Sequence, residues 1–296
     1  MTVRTGMRGM VRPNARPAPA RKRRARAAGV TDLLSAGWLA LLIASMLLLP
    51  TLLDLDPLRL DATARLAGPS ADHLLGTDNL GRDLLARALD GARVSLLIGL
   101  GSTLISIVIG VPLGMLAAYA RGPVDAVVSF VVDVILAFPG LVLALALTAF
   151  LGGSTGNVMI AITLPMIPVF VRLARAQTLS VLGREFVEAS QVIGTPAAGI
   201  LRRDVLPSIA EAILAFALVN VGRAIIIEGG LSFLGIGVPL PQPTWGTMIS
   251  EGRLHVATDP LMILVPSAFL MFTILSLNLL SDRFLVDDGT TGGGAA

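Results

Sequence analysis

Long apolar stretches separated by shorter polar ones recur along the chain. Six have the composition of membrane spans: residues 33–53, 94–119, 126–151, 158–171, 209–227 and 259–280. A helix rises 1.5 Å per residue, so about 20 apolar residues cross the hydrocarbon core of a bilayer. The pattern predicts an all-α integral membrane protein with about six transmembrane helices.

Composition agrees with this pattern and excludes several kinds of chemistry. Of the 296 residues, 54% are apolar, and the mean hydropathy is +0.80. There is no cysteine, and we expect the two histidines, His73 and His255, to be solvated loop residues. A thiol nucleophile, a metal site and a membrane-embedded enzyme are therefore not predicted. The single lysine, Lys22, lies outside any G-x-x-x-x-G-K-[ST] phosphate loop, so ATP that drives this protein is hydrolysed by another subunit.

Charge distribution predicts how the chain is oriented. Residues 1–31 form a tail with nine basic residues and no acid before Asp32. We expect this tail to be disordered and to touch anionic lipid rather than nucleic acid, because it directly precedes a span. With six spans, the tail places both termini and the polar stretch 184–207 on the cytoplasmic side.

The stretch 184–207 has the pattern of two short helices joined by a turn. The first runs to Ile193, and the sequence Gly194-Thr195-Pro196 breaks it. A second helical run is predicted from Ala197 to Arg203, with Pro207 closing it. Apolar and acidic residues on a polar loop of this size suit docking into a groove of another protein.

The same stretch resembles the "EAA" loop of bacterial ABC-importer permeases. The matching residues are Glu188-Ala189-Ser190, then Gly194, then Leu206-Pro207; Ser190 and Asp204 depart from the commonest pattern. In that family this loop fits into the ATPase subunit. The resemblance therefore implies an ATPase-coupling role for a set of residues here: Glu185, Glu188, Ala189, Ser190, Gly194, Leu206 and Pro207.

Three other strings resemble one branch of that family. His73-Leu-Leu-Gly-Thr-Asp-Asn-Leu-Gly-Arg-Asp83 is similar to a segment of the C-type subunit of dipeptide, oligopeptide and nickel permeases. The string from Asp133 to Pro139 and the string from Leu231 to Trp245 resemble the same branch. Independently of the resemblance, Thr77 or Asp78 is suited to cap an amphipathic helix that lies along the membrane surface. The apolar face of this helix would consist of Leu80, Leu84, Leu85 and Leu89.

Further expectations concern packing and loops. Gly110 and Gly114 form a small-xxx-small pair that predicts close helix packing. The Gly- and Pro-rich stretch 229–258 predicts a loop without a regular helix through its middle. Trp245 in that stretch suits the membrane interface.

Four polar residues within or beside the spans are candidates for the translocation path: Asp133, Asn220, Arg223 and Glu228. Ionisable groups are costly inside a membrane and are therefore functional candidates. Asp133 has an alternative role, because it lies close to the turn at 121–125 and would also suit an arginine or helix N-terminus as a structural partner. Asn220 and Arg223 lie three residues apart and are predicted to share one helix face, which would line a polar path or contact a second subunit.

The resemblance implies a multi-pass permease subunit of a bacterial cytoplasmic membrane. It implies a heterodimer with a second permease subunit, two ATP-binding subunits that hold ATP and Mg, and an extracytoplasmic substrate-binding protein. The implied substrates are di- or oligopeptides, with glutathione or nickel and metal chelates as alternatives. A secondary transporter remains the other hypothesis, with Asp133 as its candidate ion site.

These predictions divide the chain into four parts. They are the tail 1–31, a first span with an extracytoplasmic amphipathic segment at 32–93, a five-helix core at 94–281 containing the coupling loop 184–207, and a C-terminal tail at 282–296.

Overall fold

The computed structural model describes residues 29–285 of the chain. Nearly all of the predicted tail 1–31 and most of the predicted tail 282–296 lie outside these residues. The described part contains ten α-helices: α1 (Val30–Leu52), α2 (Leu84–Ala120), α3 (Gly122–Leu136), α4 (Gly140–Leu151), α5 (Thr155–Leu182), α6 (Glu185–Val192), α7 (Ala197–Ile200), α8 (Leu206–Phe233), α9 (Trp245–Gly252) and α10 (Leu261–Leu285).

Five helical stretches are each long and apolar enough to cross a membrane: α1, α2, α5, α10 and the run 197–233 that ends as α8. A sixth crossing results if α3 and α4 count as one bent span. Between residues 29 and 285 no β-strand forms. The prediction of an all-α membrane protein with about six spans is thus confirmed.

Close contact between α2 and α5 forms the centre of the bundle. A Cβ atom on Gly110 would lie 2.9 Å from the Ile167 carbonyl oxygen, and one on Gly114 would collide with the Val171 carbonyl oxygen. The two helices run parallel, since later positions of α2 meet later positions of α5. The close packing expected from the two glycines is confirmed, because only hydrogen leaves room for these backbones.

The segment before α2 differs from the prediction. The helix begins at Leu84 rather than near Thr77 or Asp78, and Asp83 is its N-cap, with the carboxylate accepting from the Ala86 N–H at 2.8 Å. It then continues without a break to Ala120. The expected surface helix was wrong, since Leu84, Leu85 and Leu89 are buried and the helix enters the bundle directly.

The third predicted span, 126–151, is broken in the middle. Helix α3 ends at Leu136 and α4 begins at Gly140, and their axes differ by 81°. Pro139 is the N-cap residue of α4, and Phe138 directly before it is disfavoured in the α conformation. The break therefore has a local cause in the sequence Ala137-Phe138-Pro139.

The predicted loop 229–258 contains more helix than expected. Helix α8 extends to Phe233, and α9 lies within the stretch that was predicted to lack a helix. Thr244 starts α9, with its hydroxyl accepting from the Thr247 N–H at 3.1 Å. Trp245 is fully buried and its ring N–H donates to the Ala88 carbonyl at 3.0 Å, so its predicted interfacial position was wrong.

Candidate docking segment and charged sites

The stretch 184–207, here called the docking segment, folds as a bracket between two membrane helices. Helix α6 follows α5, and Gly194 makes the turn with φ +81°, a conformation that favours glycine. Helix α7 passes through a π-helical turn, Leu201–Val205, into α8. The prediction that Pro207 ends the second helical run was wrong; it lies in the first turn of α8, where its missing N–H is tolerated.

One side of the docking segment is anchored to the bundle, and the other is open. Val187, Ile200 and Val205 are fully buried in a shared apolar cluster that also contains residues of α2, α5 and α8. At the tip, Val192 and Ile193 are 86% and 80% exposed. The tip of the docking segment thus exposes two neighbouring apolar side chains on an element that is firmly anchored to the bundle.

The predicted coupling residues lie mostly on this open side. The exposed ones are Glu185, Glu188, Ala189, Gly194, Leu206 and Pro207, while Ser190 is half-buried. Phe186 is not among the residues of the motif, but it is 44% exposed next to Glu185. The sequence motif also did not indicate the role of Val187 as a buried anchor. Its position on the side of α6 opposite the acidic residues could have indicated that it is buried.

A buried cluster of charges lies at the other end of the bundle. The Arg82 Nε donates to Asp78 Oδ2 at 2.6 Å, and Arg87 also donates to this carboxylate. Glu251 of α9 lies 2.7 Å from Arg87 and 3.3 Å from Arg82. Burial raises the pKa of Asp78, but the Arg82 backbone N–H and the charge of Arg87 lower it by more, so this pKa lies below its ordinary value. The cluster fastens the segment before α2 to α9.

His73 is part of the same end of the molecule. Its Nδ1 lies 2.9 Å from Oδ2 of Asp83, the residue that caps α2. The expectation of a solvated loop residue was therefore wrong for His73.

A cavity of about 480 Å³ lies next to the cluster, where Glu251 and Ser250 of α9 face Thr148 of α4 and the loop at 235–240.

Two ion pairs connect α3 to α5 near the docking segment. The Arg175 guanidinium binds Asp125 with two hydrogen bonds, at 2.6 and 2.7 Å. Arg172 binds Asp133 with one, from Nη2 to Oδ1 at 2.6 Å. Asp133 thus binds an arginine, which is one of the two roles predicted for it. The sequence did not indicate that this arginine is Arg172.

The other three path candidates lie in different surroundings. Asn220 is buried and donates to the Phe216 carbonyl within α8. Glu228 is fully buried, and its carboxylate accepts from Ser232 at 2.7 Å and from Ser95 of α2 at 3.4 Å. Arg223 is exposed and forms no hydrogen bond or ion pair within residues 29–285. Asn220 and Arg223 lie three positions apart on α8 but differ in exposure, since the first is buried and the second is exposed.

Comparison with known proteins identifies the family. Residues 110–286 match the model of the binding-protein-dependent transport system inner membrane component. The chain is 40% identical over 215 residues to the glutathione transport system permease protein GsiD of Pectobacterium atrosepticum, covering 73% of this chain and 71% of the relative. This chain belongs to that permease family.

Two further relatives narrow the branch. The di/tripeptide transport system permease protein DppC of Pseudomonas aeruginosa is 38% identical over 217 residues, 73% of this chain and 72% of the relative. The dipeptide permease DppC of Alkalihalophilus pseudofirmus is 37% identical over 218 residues, 74% and 72% of the two chains. The permease is therefore a multi-pass protein of the bacterial cytoplasmic membrane and a member of the peptide branch of ABC-importer permeases, as its motifs indicated.

The buried charge cluster gives a prediction about stability. Replacing Asp78 by Asn leaves Arg82 and Arg87 buried with less negative charge, which we expect to cost about 3–5 kcal/mol. Thermal unfolding of the purified transporter at pH 7 measures the effect, with Asp72→Asn as the exposed control.

Because folding lowers the Asp78 pKa, the carboxylate stabilises the protein above its ordinary pKa, and this contribution disappears as the pH falls through the folded-state pKa. Equal melting temperatures for the two variants at pH 7 would contradict the assignment.

Proposed function

We propose that this permease is one of two membrane subunits of an ATP-driven importer that carries di- and oligopeptides into the cell. Two ATP-binding subunits and an extracytoplasmic substrate-binding protein complete the assembly. The observation that carries the proposal is the docking segment, which presents Val192 and Ile193 outward while Val187 holds it against the bundle. The relatives named for dipeptides and glutathione support the substrate class.

The permease transmits work and carries out no bond chemistry. Partner subunits bind and hydrolyse ATP with Mg, and they prefer one arrangement of the docking segments when ATP is bound. That preference is sufficient to shift the permease between states open to opposite sides. Helix α5 and the π-helical turn before α8 both connect the docking segment directly to the spans. Short π-helical turns are frequent at functional sites.

The docking segment and both termini lie in the cytoplasm in this proposal. Charge supports it, because basic residues are concentrated in the tail 1–31 and the docking segment itself carries Arg184, Arg202 and Arg203. The buried charge cluster around Asp78 and the cavity beside Glu251 are then extracytoplasmic, where the binding protein delivers substrate. We propose that the basic tail binds anionic lipid rather than nucleic acid.

Among the path candidates, exposure separates two roles. Asp133 and Arg223 are exposed on the single chain and are proposed to line the path or its subunit boundary. Asn220 and Glu228 are buried and bonded within the bundle, so we assign them to holding the helices that form the path. An ion-driven transporter would instead use Asp133 as its ion site; the arginine that pairs with Asp133 favours the ATP-driven alternative.

Uptake in cells lacking the gene, compared with cells in which it is restored, tests the substrate class. The probes are labelled dipeptides and oligopeptides, labelled glutathione and labelled nickel. We expect peptide uptake to depend on the gene and on ATP. Gene-dependent uptake of glutathione or nickel without peptide would keep the importer and change its substrate, and peptide uptake without ATP would contradict the proposal.

The turn of the docking segment provides the test of coupling. Gly194→Asp forces a side chain into the left-handed region, at about 1–2 kcal/mol, and adds a charge at the tip. We expect ATP-dependent uptake to fall by about tenfold, because weaker docking of that size shifts the equilibrium accordingly.

A matched control is available eleven residues upstream. Gly183→Asp places the same charge between α5 and α6, where φ is −87° and a Cβ meets open space. This variant should retain uptake. Normal ATP-dependent uptake by Gly194→Asp, with this transporter correctly assembled, would overturn the assignment of the docking segment.

A further inference from the structure

The two ion pairs between α3 and α5 differ in how much bonding capacity they use. Asp125 and Arg175 bind each other through two parallel hydrogen bonds, which use both carboxylate oxygens. The side chains of Arg175 and Asp125 are 36% and 24% exposed, well below those of the neighbouring pair. This closed pair has the fork geometry of an arginine–carboxylate contact that fixes two helices.

The neighbouring pair is open. Arg172 donates only one hydrogen bond to Asp133, and the two side chains are 60% and 63% exposed. A guanidinium has five N–H donors, and a carboxylate has two accepting oxygens. Most donors of Arg172 and the Oδ2 of Asp133 therefore have no partner within residues 29–285 and are free for a ligand.

The open pair lines a cleft at the inner end of the spans. Arg172 lies about 26 Å along α5 from its start at Thr155, near the inner edge of a hydrocarbon core about 30 Å thick. The cleft has a volume of about 340 Å³ and is also lined by Ser129, Val132, Val171 and Arg175 of the closed pair. This volume lies within the range of small-molecule sites.

The helix break lies one turn beyond Asp133. The last hydrogen bond of α3 runs from the Ala137 N–H to the Asp133 carbonyl, and Phe138 in the break is 55% exposed. Irregular backbone at membrane depth is tolerated only where protein buries it or water reaches it. The break and the open ion pair thus indicate the same water-accessible region.

Resting on the proposed function, we propose that Asp133 and Arg172 form a binding point for zwitterionic peptides at the inner mouth of the path. The Asp133 carboxylate accepts from the terminal ammonium group, and the Arg172 guanidinium binds the terminal carboxylate. The pair itself is neutral, so it suits a substrate that carries one charge of each sign. Arg172 is the residue that the sequence motifs did not indicate.

The two residues also lie on different helices, and only one of these leads into the docking segment. Helix α5 carries Arg172 and leads directly into α6, whereas Asp133 lies on α3. A single hydrogen bond between them can open without breaking the Asp125–Arg175 pair nearby. ATP-driven movement of the docking segment is thus positioned to pull the two halves of the binding point apart and release the peptide.

Site-directed labelling tests this inference, because the chain contains no cysteine. Ser129→Cys places a thiol in the cleft, and Val131→Cys places one on the far side of α3 as a matched control. Each variant is assembled with its partner subunits in proteoliposomes and treated with a membrane-impermeant maleimide. Modification of this chain is read by mass spectrometry.

We expect the Ser129→Cys variant to be labelled and the Val131→Cys variant to be spared. A dipeptide with free termini should protect the thiol, and the same dipeptide with an acetylated N-terminus and an amidated C-terminus should not. Adding Arg172→Gln should raise the dipeptide concentration for half-protection by about tenfold or more, the loss expected for a hydrogen bond to a charged group. Arg172→Lys should retain part of the protection, since it keeps the charge without the fork.

Several outcomes would overturn the inference. No labelling of the Ser129→Cys variant would mean that the second permease subunit or lipid covers the cleft. Equal protection by free and blocked dipeptides would exclude recognition of the termini. Co-purification of the Arg172→Gln variant with its partners excludes misassembly as the cause. A wrong substrate class is distinguishable, because labelling would then be normal while gene-dependent dipeptide uptake is absent.

Discussion

Packing of α5 against α2 fixes the position of almost every charged group that has a proposed role in this permease. Gly110 and Gly114 let the two backbones approach, and no larger side chain fits between them. Helix α5 then carries Arg172 and Arg175 to α3 at one end and continues into the docking segment. Helix α2 begins at the opposite end in the buried charge cluster. In the proposed mechanism, one helix pair therefore connects the end where substrate is delivered with the end where the ATP-binding subunits dock.

Electrostatics assigns different roles to the ion pairs along this pair of helices. Charges that hold elements together are well bonded and less exposed, as Asp78 is with Arg82 and Arg87, and as Asp125 is with Arg175. Exposed charges in or near the spans are costly unless water or another chain meets them. Arg223 and the open pair of Asp133 and Arg172 are of this second kind. We therefore assign the closed pairs to holding the fold together and propose a role in transport for the open ones.

Periodicity and composition predicted the spans well, because a bilayer demands long apolar helices whatever their packing. Local signals at the ends were harder to rank. Thr77, Asp78 and Asp83 all suit an N-cap, and the structure uses Asp83 because Asp78 is bound to two arginines. Helix α9 was missed because glycines and prolines before it dominate the composition, although Thr244 and Thr247 carry a capping signal.

The residue types were sufficient to recognise the docking segment, but they did not show which of its sides is buried and which is exposed. The motif contains the exposed residues, whereas the buried anchor Val187 is defined by contacts with α5, α7 and α8 that lie far apart in sequence or across the turn. The pairing of Asp133 with Arg172 likewise joins residues 39 positions apart. Contacts of this kind depend on how helices cross, which a one-dimensional pattern does not contain.

Labelling of a single thiol at the docking tip tests the central claim most directly. Ile193→Cys lies at the tip, and Leu254→Cys, 80% exposed near the end of α9, reports the opposite side. In intact spheroplasts an impermeant thiol reagent should label only the Leu254→Cys variant. In inside-out vesicles it should label the Ile193→Cys variant, and adding the ATP-binding subunits should protect that thiol. Labelling of Ile193→Cys from outside, or labelling that the ATP-binding subunits leave unchanged, would contradict the account.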